Sequence, residues 1–317
     1  MRQVLFVVLP EVVLLDVAGA ADAFRTANLL MPGSYELSFI GPQPQITTGV
    51  GLEVCSLQSL PTTLADGSMI VIPGLVGSRV DLTAPSVRKV VRWLRDALAN
   101  PSVTLICVCA GSVIGAAAGA LSGRECTTHH EHIAELAQVD PSAIVHEDRI
   151  FVEDGRILTS AGVTAGIDLA LHVIGQQLGH HVAAGVARSL VVYMRRAGND
   201  PQLSPWLMHR NHMHAAVHRV QDAVTRNPTA DWSASRLAAI GCTSERNLSR
   251  LFAEHAGCSP LDYVQRIRVA LARELLTHSR LNIERVAQKA GFSSAHHLRR
   301  VWRRWESRAP SAQRHAE

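Results

Sequence analysis

Along the first 190 residues, short unbroken apolar runs alternate with longer stretches in which apolar residues return every three or four positions. Residues 4–9, 37–40, 69–72 and 103–108 are short β-branched or aliphatic runs, and each predicts a strand. Residues 18–30 and 86–99 are periodic, the second with Val87, Val90, Val91, Leu94 and Leu98 on one stripe, and both predict helices. This alternation implies a mostly parallel sheet covered by helices on both faces. Asp154-Gly155 predicts a hairpin turn within 150–159, and helices are expected again over 165–179 and 181–194.

The pattern breaks at residues 197–211, where Gly198, Asn199, Asp200, Pro201, Ser204 and Pro205 crowd together as a linker would. Beyond it the periodicity is helical throughout, punctuated by Asn227-Pro228, Gly241, Gly257, Ser259-Pro260 and Gly291. The expected organisation is an α/β domain over 1–195, a linker over 196–215 and an all-α domain over 216–317.

The all-α segment repeats itself. Leu248, Arg250, Leu251 and Phe252 return as Leu298, Arg300, Val301 and Trp302, and Pro260 returns as Pro310. In the first copy residues 235–240 form a supporting helix, Gly241-Cys242-Thr243 the turn, and Ser244 a cap for the next helix. That second helix buries Leu248, Leu251 and Phe252 and leaves Arg246, Asn247, Ser249 and Arg250 outside. In the second copy residues 283–290 are the support and Gly291-Phe292-Ser293 the turn. Leu298, Val301 and Trp302 are the buried stripe, with His296, His297, Arg299 and Arg300 outward and Arg303 and Arg304 one turn on. A duplicated helix-turn-helix whose second helices expose arginine predicts a reader of double-stranded DNA, because the guanidinium fork suits both guanine edges and phosphate. Residues 261–278 predict one amphipathic helix that holds the two readers apart.

Charge agrees with this division. Residues 1–209 carry 13 Lys/Arg against 18 Asp/Glu, a net −5, whereas residues 210–317 carry 18 against 9, a net +9. Phosphate contact is thus expected at one end only. The six cysteines lack CxxC spacing and read as reduced thiols of a cytoplasmic protein. Residues 101–123 are free of charge for 23 positions, but their Ala, Gly, Ser and Cys content points to a packed turn and helix instead of a membrane span.

Cys109 closes a strand and precedes Ala110-Gly111-Ser112 and an Ala-rich helix. A sharp turn there aims the sulfur at helix N–H groups, which favour a thiolate. With Asp16, at the end of a strand-and-loop segment, and a candidate imidazole partner in Thr127-Thr128-His129-His130, it forms a nucleophile set on paper; a buried, inert cysteine is the alternative. His129, His130 and His132, and His214 with His218 at helical spacing, lack the cysteine or carboxylate partners of strong metal motifs. No metal or cofactor is expected.

Residues 216–317 resemble the AraC/XylS family of transcription regulators. The resemblance is carried by Leu248-Ser-Arg-Leu-Phe252, Gly257-Cys-Ser-Pro260, Arg268-Val-Ala-Leu-Ala-Arg273 and Val286-Ala-Gln-Lys-Ala-Gly-Phe-Ser293. It implies base-reading positions at Arg246, Ser249, Arg250, His296, His297 and Arg300. Cys242 departs from the usual Gly of the first turn, and 307–314 lacks the usual closing Gly and Tyr. Residues 1–195 resemble the ThiJ/PfpI superfamily, also called class I glutamine-amidotransferase-like. Here the motifs are Asp16-Val-Ala-Gly19, Ile70-Val-Ile-Pro-Gly74, Val108-Cys-Ala-Gly111, Gly123-Arg-Glu-Cys-Thr-Thr-His129 and Thr159-Ser-Ala-Gly-Val-Thr-Ala-Gly-Ile-Asp168. This likeness implies a flavodoxin-like sandwich with Cys109 at the nucleophile elbow, His129 as its partner and Gly74 on the oxyanion side. The peptidase branch places His directly after the Cys, where this chain has Ala110, so peptidase activity is not expected.

The combination, found in GlxA-like regulators, implies a homodimeric regulator, an activator by resemblance, that works with RNA polymerase. An unknown small-molecule effector bound near Cys109 would control it. A Cys-dependent hydratase or amidase-like enzyme fused to a DNA-binding module is the competing expectation, and a redox sensor acting through Cys109 a third.

Overall fold

The computed structural model describes all residues except 193–195, 197, 199–201, 203–211, 213, 280, 307–308 and 311–317. Most of the expected linker, and all of 307–314 but Ala309 and Pro310, lie outside the described residues. The chain divides into two compact units, Met1–Gln202 and Leu203–Glu317.

The first unit opens with β1 (Arg2–Val7), α1 (Leu14–Leu30) and β2 (Tyr35–Gly41). Three short strands follow, β3 (Gln45–Thr47), β4 (Glu53–Cys55) and β5 (Gln58–Ser59), and then β6 (Met69–Ile72), α2 (Pro85–Ala97) and β7 (Thr104–Val108). Past the Cys109 turn come α3 (Gly111–Ala117), β8 (Glu125–Cys126), α4 (Ile133–Val139) and β9 (Ile144–Val145). The hairpin β10 (Phe151–Asp154) and β11 (Ile157–Ser160), then α5 (Ala165–Leu178) and α6 (His180–Ser189), complete it.

The main sheet has the order β10-β11-β7-β6-β1-β2-β5, parallel except for the β10–β11 hairpin. β6 and β1 are buried almost throughout, as strands covered on both faces must be. α1, α5 and α6 pack with one another, as do α2, α3 and α4 in sequence, so two helical layers enclose the sheet. The two-residue and three-residue strands are too short to leave a period in the sequence, and none of them was foreseen. Two boundaries also differ from expectation. α1 starts at Leu14, which places Asp16 in its first turn and not in a strand-and-loop segment. α6 ends at Ser189, not residue 194: Leu190 caps it and Val191 takes a left-handed φ of 54°. The uncharged stretch 101–123 is divided by the Cys109 turn into β7 and α3. Among the described residues no helix is long and apolar enough to cross a membrane.

The second unit is helical: α7 (Ala215–Arg226), α8 (Ala234–Gly241), α9 (Glu245–Ala256), α10 (Pro260–His278), α11 (Ile283–Lys289) and α12 (Ala295–Trp302). It has two separate apolar cores. Val217, Val220, Leu237, Leu248 and Phe252 form the first, and Val286, Ala287, Leu298, Val301 and Trp302 the second. α10 belongs to both, since Tyr263, Val264 and Ile267 enter the first core and Val269, Ala272 and Leu276 the second. Its 19 residues span about 28 Å.

Candidate effector pocket and nucleic-acid interface

Four neighbouring strands of the parallel sheet, β11, β7, β6 and β1, bring their carboxyl ends together, the place where open α/β sheets bind ligands. Asp16 follows β1, Gly74 follows β6, Cys109 follows β7, and Gly162 and Val163 follow β11. Cys109 adopts φ 56°, uncommon for a residue with a side chain, and is held there by its own N–H donating to the Ser160 carbonyl at 3.0 Å. Thr128 Oγ1 donates to the Cys109 carbonyl at 2.8 Å, and Ser112 Oγ to the Thr127 carbonyl at 2.9 Å. The turn tolerates no bulk beside it: a Cβ on Gly162 would lie 2.2 Å from Cys109 Cβ, and one on Gly111 would lie 2.1 Å from the Ile72 carbonyl oxygen. That is the local reason for small residues on both sides of the cysteine.

Asp16 is fully buried and joins two loops. Its Oδ2 accepts the Gly74 N–H at 3.0 Å and its Oδ1 the Val163 N–H at 2.6 Å. The second bond supports Val163 in a left-handed conformation, φ 52°, which a β-branched residue otherwise avoids. Burial raises the Asp16 pKa, outweighing the two N–H bonds that act against it.

The surroundings of Cys109 do not favour the expected thiolate. Burial, with the Asp16 carboxylate next in size, pushes the thiol up to about 12, and the single backbone N–H from Ala110 does not offset them. Asp16, Gly74 and Cys109 are brought together; His129 makes no hydrogen bond to Cys109 among the described residues. The His129 Nδ1 accepts the Glu131 N–H at 3.4 Å, and its ring lies 4.2 Å from that of His130, centroid to centroid. Burial and the neighbouring His130 lower its pKa. His132 pairs instead with Glu135 at 2.8 Å, and Glu135 also accepts the Val80 N–H. Among the described residues no group of three His, Cys, Asp or Glu is arranged to hold a metal ion.

Sequence reasoning missed three groups here: Thr128, the Gly162-Val163 loop, and the chain that leaves the unit. Arg196 donates from Nε to Asp168 Oδ2 at 2.8 Å and from Nη2 to Thr164 Oγ1 at 2.8 Å. The Gly198 carbonyl accepts the Ile150 N–H at 3.1 Å. Gln202 Nε2 donates to the Thr128 carbonyl at 2.7 Å and to Thr127 Oγ1 at 3.2 Å. The start of the expected linker is thus bonded to both walls of the Cys109 turn. Thr128 and Gly162-Val163 lie within motifs quoted for the family resemblance, but no pattern in the sequence assigned them a role.

In the second unit each copy of the repeat folds as a helix-turn-helix. Ser244 caps α9 by accepting the Asn247 N–H, and Leu248, Leu251 and Phe252 are buried. Arg246, Ser249 and Arg250 are exposed. Asn247 Nδ2 donates to Thr243 Oγ1, while its Oδ1 accepts from Arg250, which also pairs with Glu254 at 2.8 Å. In the second copy Ser294, not foreseen, caps α12 by accepting the His297 N–H, and Ser293 Oγ lies 3.1 Å from His297 Nδ1. Leu298, Val301 and Trp302 are buried. His296, Arg299, Arg300 and Arg303 are exposed and have no hydrogen-bond or ion-pair partner among the described residues. Arg304 turns back onto α10, donating to Asp262 Oδ1 at 2.9 Å and Gln265 Oε1 at 3.0 Å with its guanidinium over Trp305.

Comparison with known proteins finds a separate likeness for each part of the chain. The DJ-1/PfpI family model matches residues 2–176, and a helix-turn-helix domain model matches residues 237–316. The HTH-type transcriptional regulator GbdR of Pseudomonas aeruginosa is 28% identical over 316 residues, covering 98% of this chain and 84% of GbdR. Isonitrile hydratase of Pseudomonas putida is 30% identical over 186 residues, 56% of this chain and 72% of the hydratase. A crystal structure of a ThiJ/PfpI family protein from Pseudomonas syringae superposes with a TM-score of 0.54 at 21% identity, covering 76% of this chain and 90% of that one.

Proposed function

This chain belongs to the DJ-1/PfpI family and ends in an AraC-type helix-turn-helix module, and on that premise we propose that it is a sequence-specific DNA-binding transcription regulator controlled by a small-molecule effector. The observation that carries this reading is the second unit itself: two helix-turn-helix copies, each burying its apolar stripe and presenting exposed arginine on its second helix. In the first unit the proposed effector site is the turn region of Asp16, Gly74, Cys109 and the Gly162-Val163 loop. The protein acts as a homodimer in the cytoplasm and as an activator that engages RNA polymerase.

Sensing fits the pocket better than turnover. A nucleophilic cysteine needs a base within hydrogen-bond reach or a lowered pKa; no histidine bonds to Cys109 among the described residues, and its burial acts to raise the pKa. An effector that displaces Thr128 or Val163 strains the bonds of Gln202 and leaves those of Arg196 less well supported, which loosens the hold of the unit on these two residues. That is a differential interaction of the kind a ligand needs to shift an equilibrium. The enzyme reading has one specific observation behind it, the likeness to isonitrile hydratase.

Selection of bound DNA from a random pool by the full chain tests the main claim, and failure to enrich any site at moderate salt would sink it. Sensing is separated from turnover at Cys109. Iodoacetamide at pH 7.5 is expected to label exposed Cys55 and Cys242 well before Cys109. Rapid, selective labelling of Cys109 would favour the enzyme.

A further inference from the structure

The two readers of the second unit sit on separate apolar cores, joined through α10. One helix shared between two cores leaves the readers free to bend or twist against each other unless something else ties them. The loop between α7 and α8, α10, and the turn between α11 and α12 meet at one side chain, Arg268. Its Nε donates to the Pro228 carbonyl at 2.9 Å and its Nη2 to the Ala230 carbonyl at 2.7 Å, so the guanidinium forks onto the loop that leads into the first supporting helix. The second copy's turn presses on the same group. A Cβ on Gly291 would lie 2.9 Å from Arg268 Nε and 2.9 Å from Thr229 Cα.

We infer that Arg268 is a positioning residue that sets the spacing and phase between the two DNA-reading helices, and so selects operators by the distance between their half-contacts. The inference rests on the DNA-reading proposal above. Three features carry it. The fork spans two carbonyls from two separate nitrogens in one plane, a fixed geometry that the single nitrogen of a lysine ammonium does not hold. The contact is made to the loop that enters α8, upstream of the first reader. The abutting Gly291 turn runs directly into α12, the second reader, so a shift at Arg268 is passed to both. Arg268 itself lies in the middle of α10, half-buried, with its guanidinium committed to the Pro228 and Ala230 carbonyls.

Spacing matters because one inserted base pair moves a half-contact by about 3.4 Å and rotates it by about 35°. The experiment uses the full chain and a site selected from a random pool. Half-contacts are assigned by the protection lost in Arg250→Ala and in Arg300→Ala, and affinity is then measured for sites with one or two base pairs inserted between them. The wild type is expected to lose about ten-fold or more per inserted pair. Arg268→Ala is expected to bind the parent site more weakly yet lose less than about three-fold on insertion, and Arg268→Lys is expected to follow it. A residue that only stabilised the fold would weaken every site alike and leave the insertion penalty at its wild-type value; that result overturns the inference. Circular dichroism reports whether Arg268→Ala folds, and Arg268→Lys, which keeps the charge and the aliphatic stem, carries the test if it does not. Absence of any selected site overturns the DNA-reading proposal and this inference together, whereas a selected site with an unchanged penalty overturns this inference alone.

Discussion

In the first helix-turn-helix the left-handed residue of the turn is Cys242, at φ 52°; in the second it is Gly291, at φ 81°. Both turns close the same way, with the Thr243 N–H bonding to the Ala238 carbonyl and the Phe292 N–H to the Ala287 carbonyl. From that residue to the cap of the next helix, however, the second turn is one residue longer, ending at Ser294 where the first ends at Ser244. The copies therefore repeat at an offset of about fifty in their reading helices and one less in their supports. Turn one carries the exposed side chain of Cys242 at this position; turn two is pressed against Arg268 and Thr229. Equal topology has been given unequal duties, one turn as a plain connection and the other as part of a joint.

That contrast breaks most readily at Gly291. Replacing it with Ala adds a Cβ where backbone and guanidinium already stand, in a conformation L residues avoid, and is expected to cost the second unit more than about 2 kcal/mol in urea unfolding. A loss under about 0.5 kcal/mol would mean the joint is loose.

The reading faces supply the next effect. Arg300→Ala is expected to weaken binding to a selected site by about 1–3 kcal/mol. Arg250→Ala is expected to cost less, because Arg250 must first leave Glu254 and Asn247. Fluorescence anisotropy at fixed salt orders the two, and a larger loss at Arg250 would reverse the ranking.

Cys242→Gly should raise stability by about 0.5 kcal/mol, the relief of a left-handed side chain less the entropy of glycine. The melting temperature reads this, and a fall would show that the thiol contributes packing. The smallest effect is at His297, whose pKa burial lowers first, with Arg300 and Arg268 adding to it. A base with a depressed folded pKa gives stability that is complete above its unfolded pKa of about 6.5 and is lost as pH falls through the folded value. His297→Gln should therefore flatten the loss of stability below about pH 6.5, measured by thermal melts across pH 5 to 7.5.

Much of this was legible in the chain. Runs of Val and Ile at 69–72 and 103–108 could be little but buried parallel strands, and the stripe Val87, Val90, Leu94 is buried as its spacing requires. The repeat in the last hundred residues marked both readers and their buried faces. Less legible were the elements without a period, such as β8 and β9, and any property set by surroundings. The small residues around Cys109 announced a tight turn, but not whether the sulfur would face solvent and helix dipole or be enclosed with a carboxylate.

By itself, then, the order of residues determined the two modules, their classes of fold and which faces they bury, because periodicity and turn chemistry act between neighbours in the chain. Only the tertiary structure decided that Asp16, Gly74, Cys109 and Val163 meet, since the order of β1, β6, β7 and β11 in the sheet brings them together from far apart in sequence. It also decided that Cys109 is enclosed beside Asp16 and that Arg268 stands between two readers. Burial and long-range hydrogen bonding set both, and neither has a period to be read.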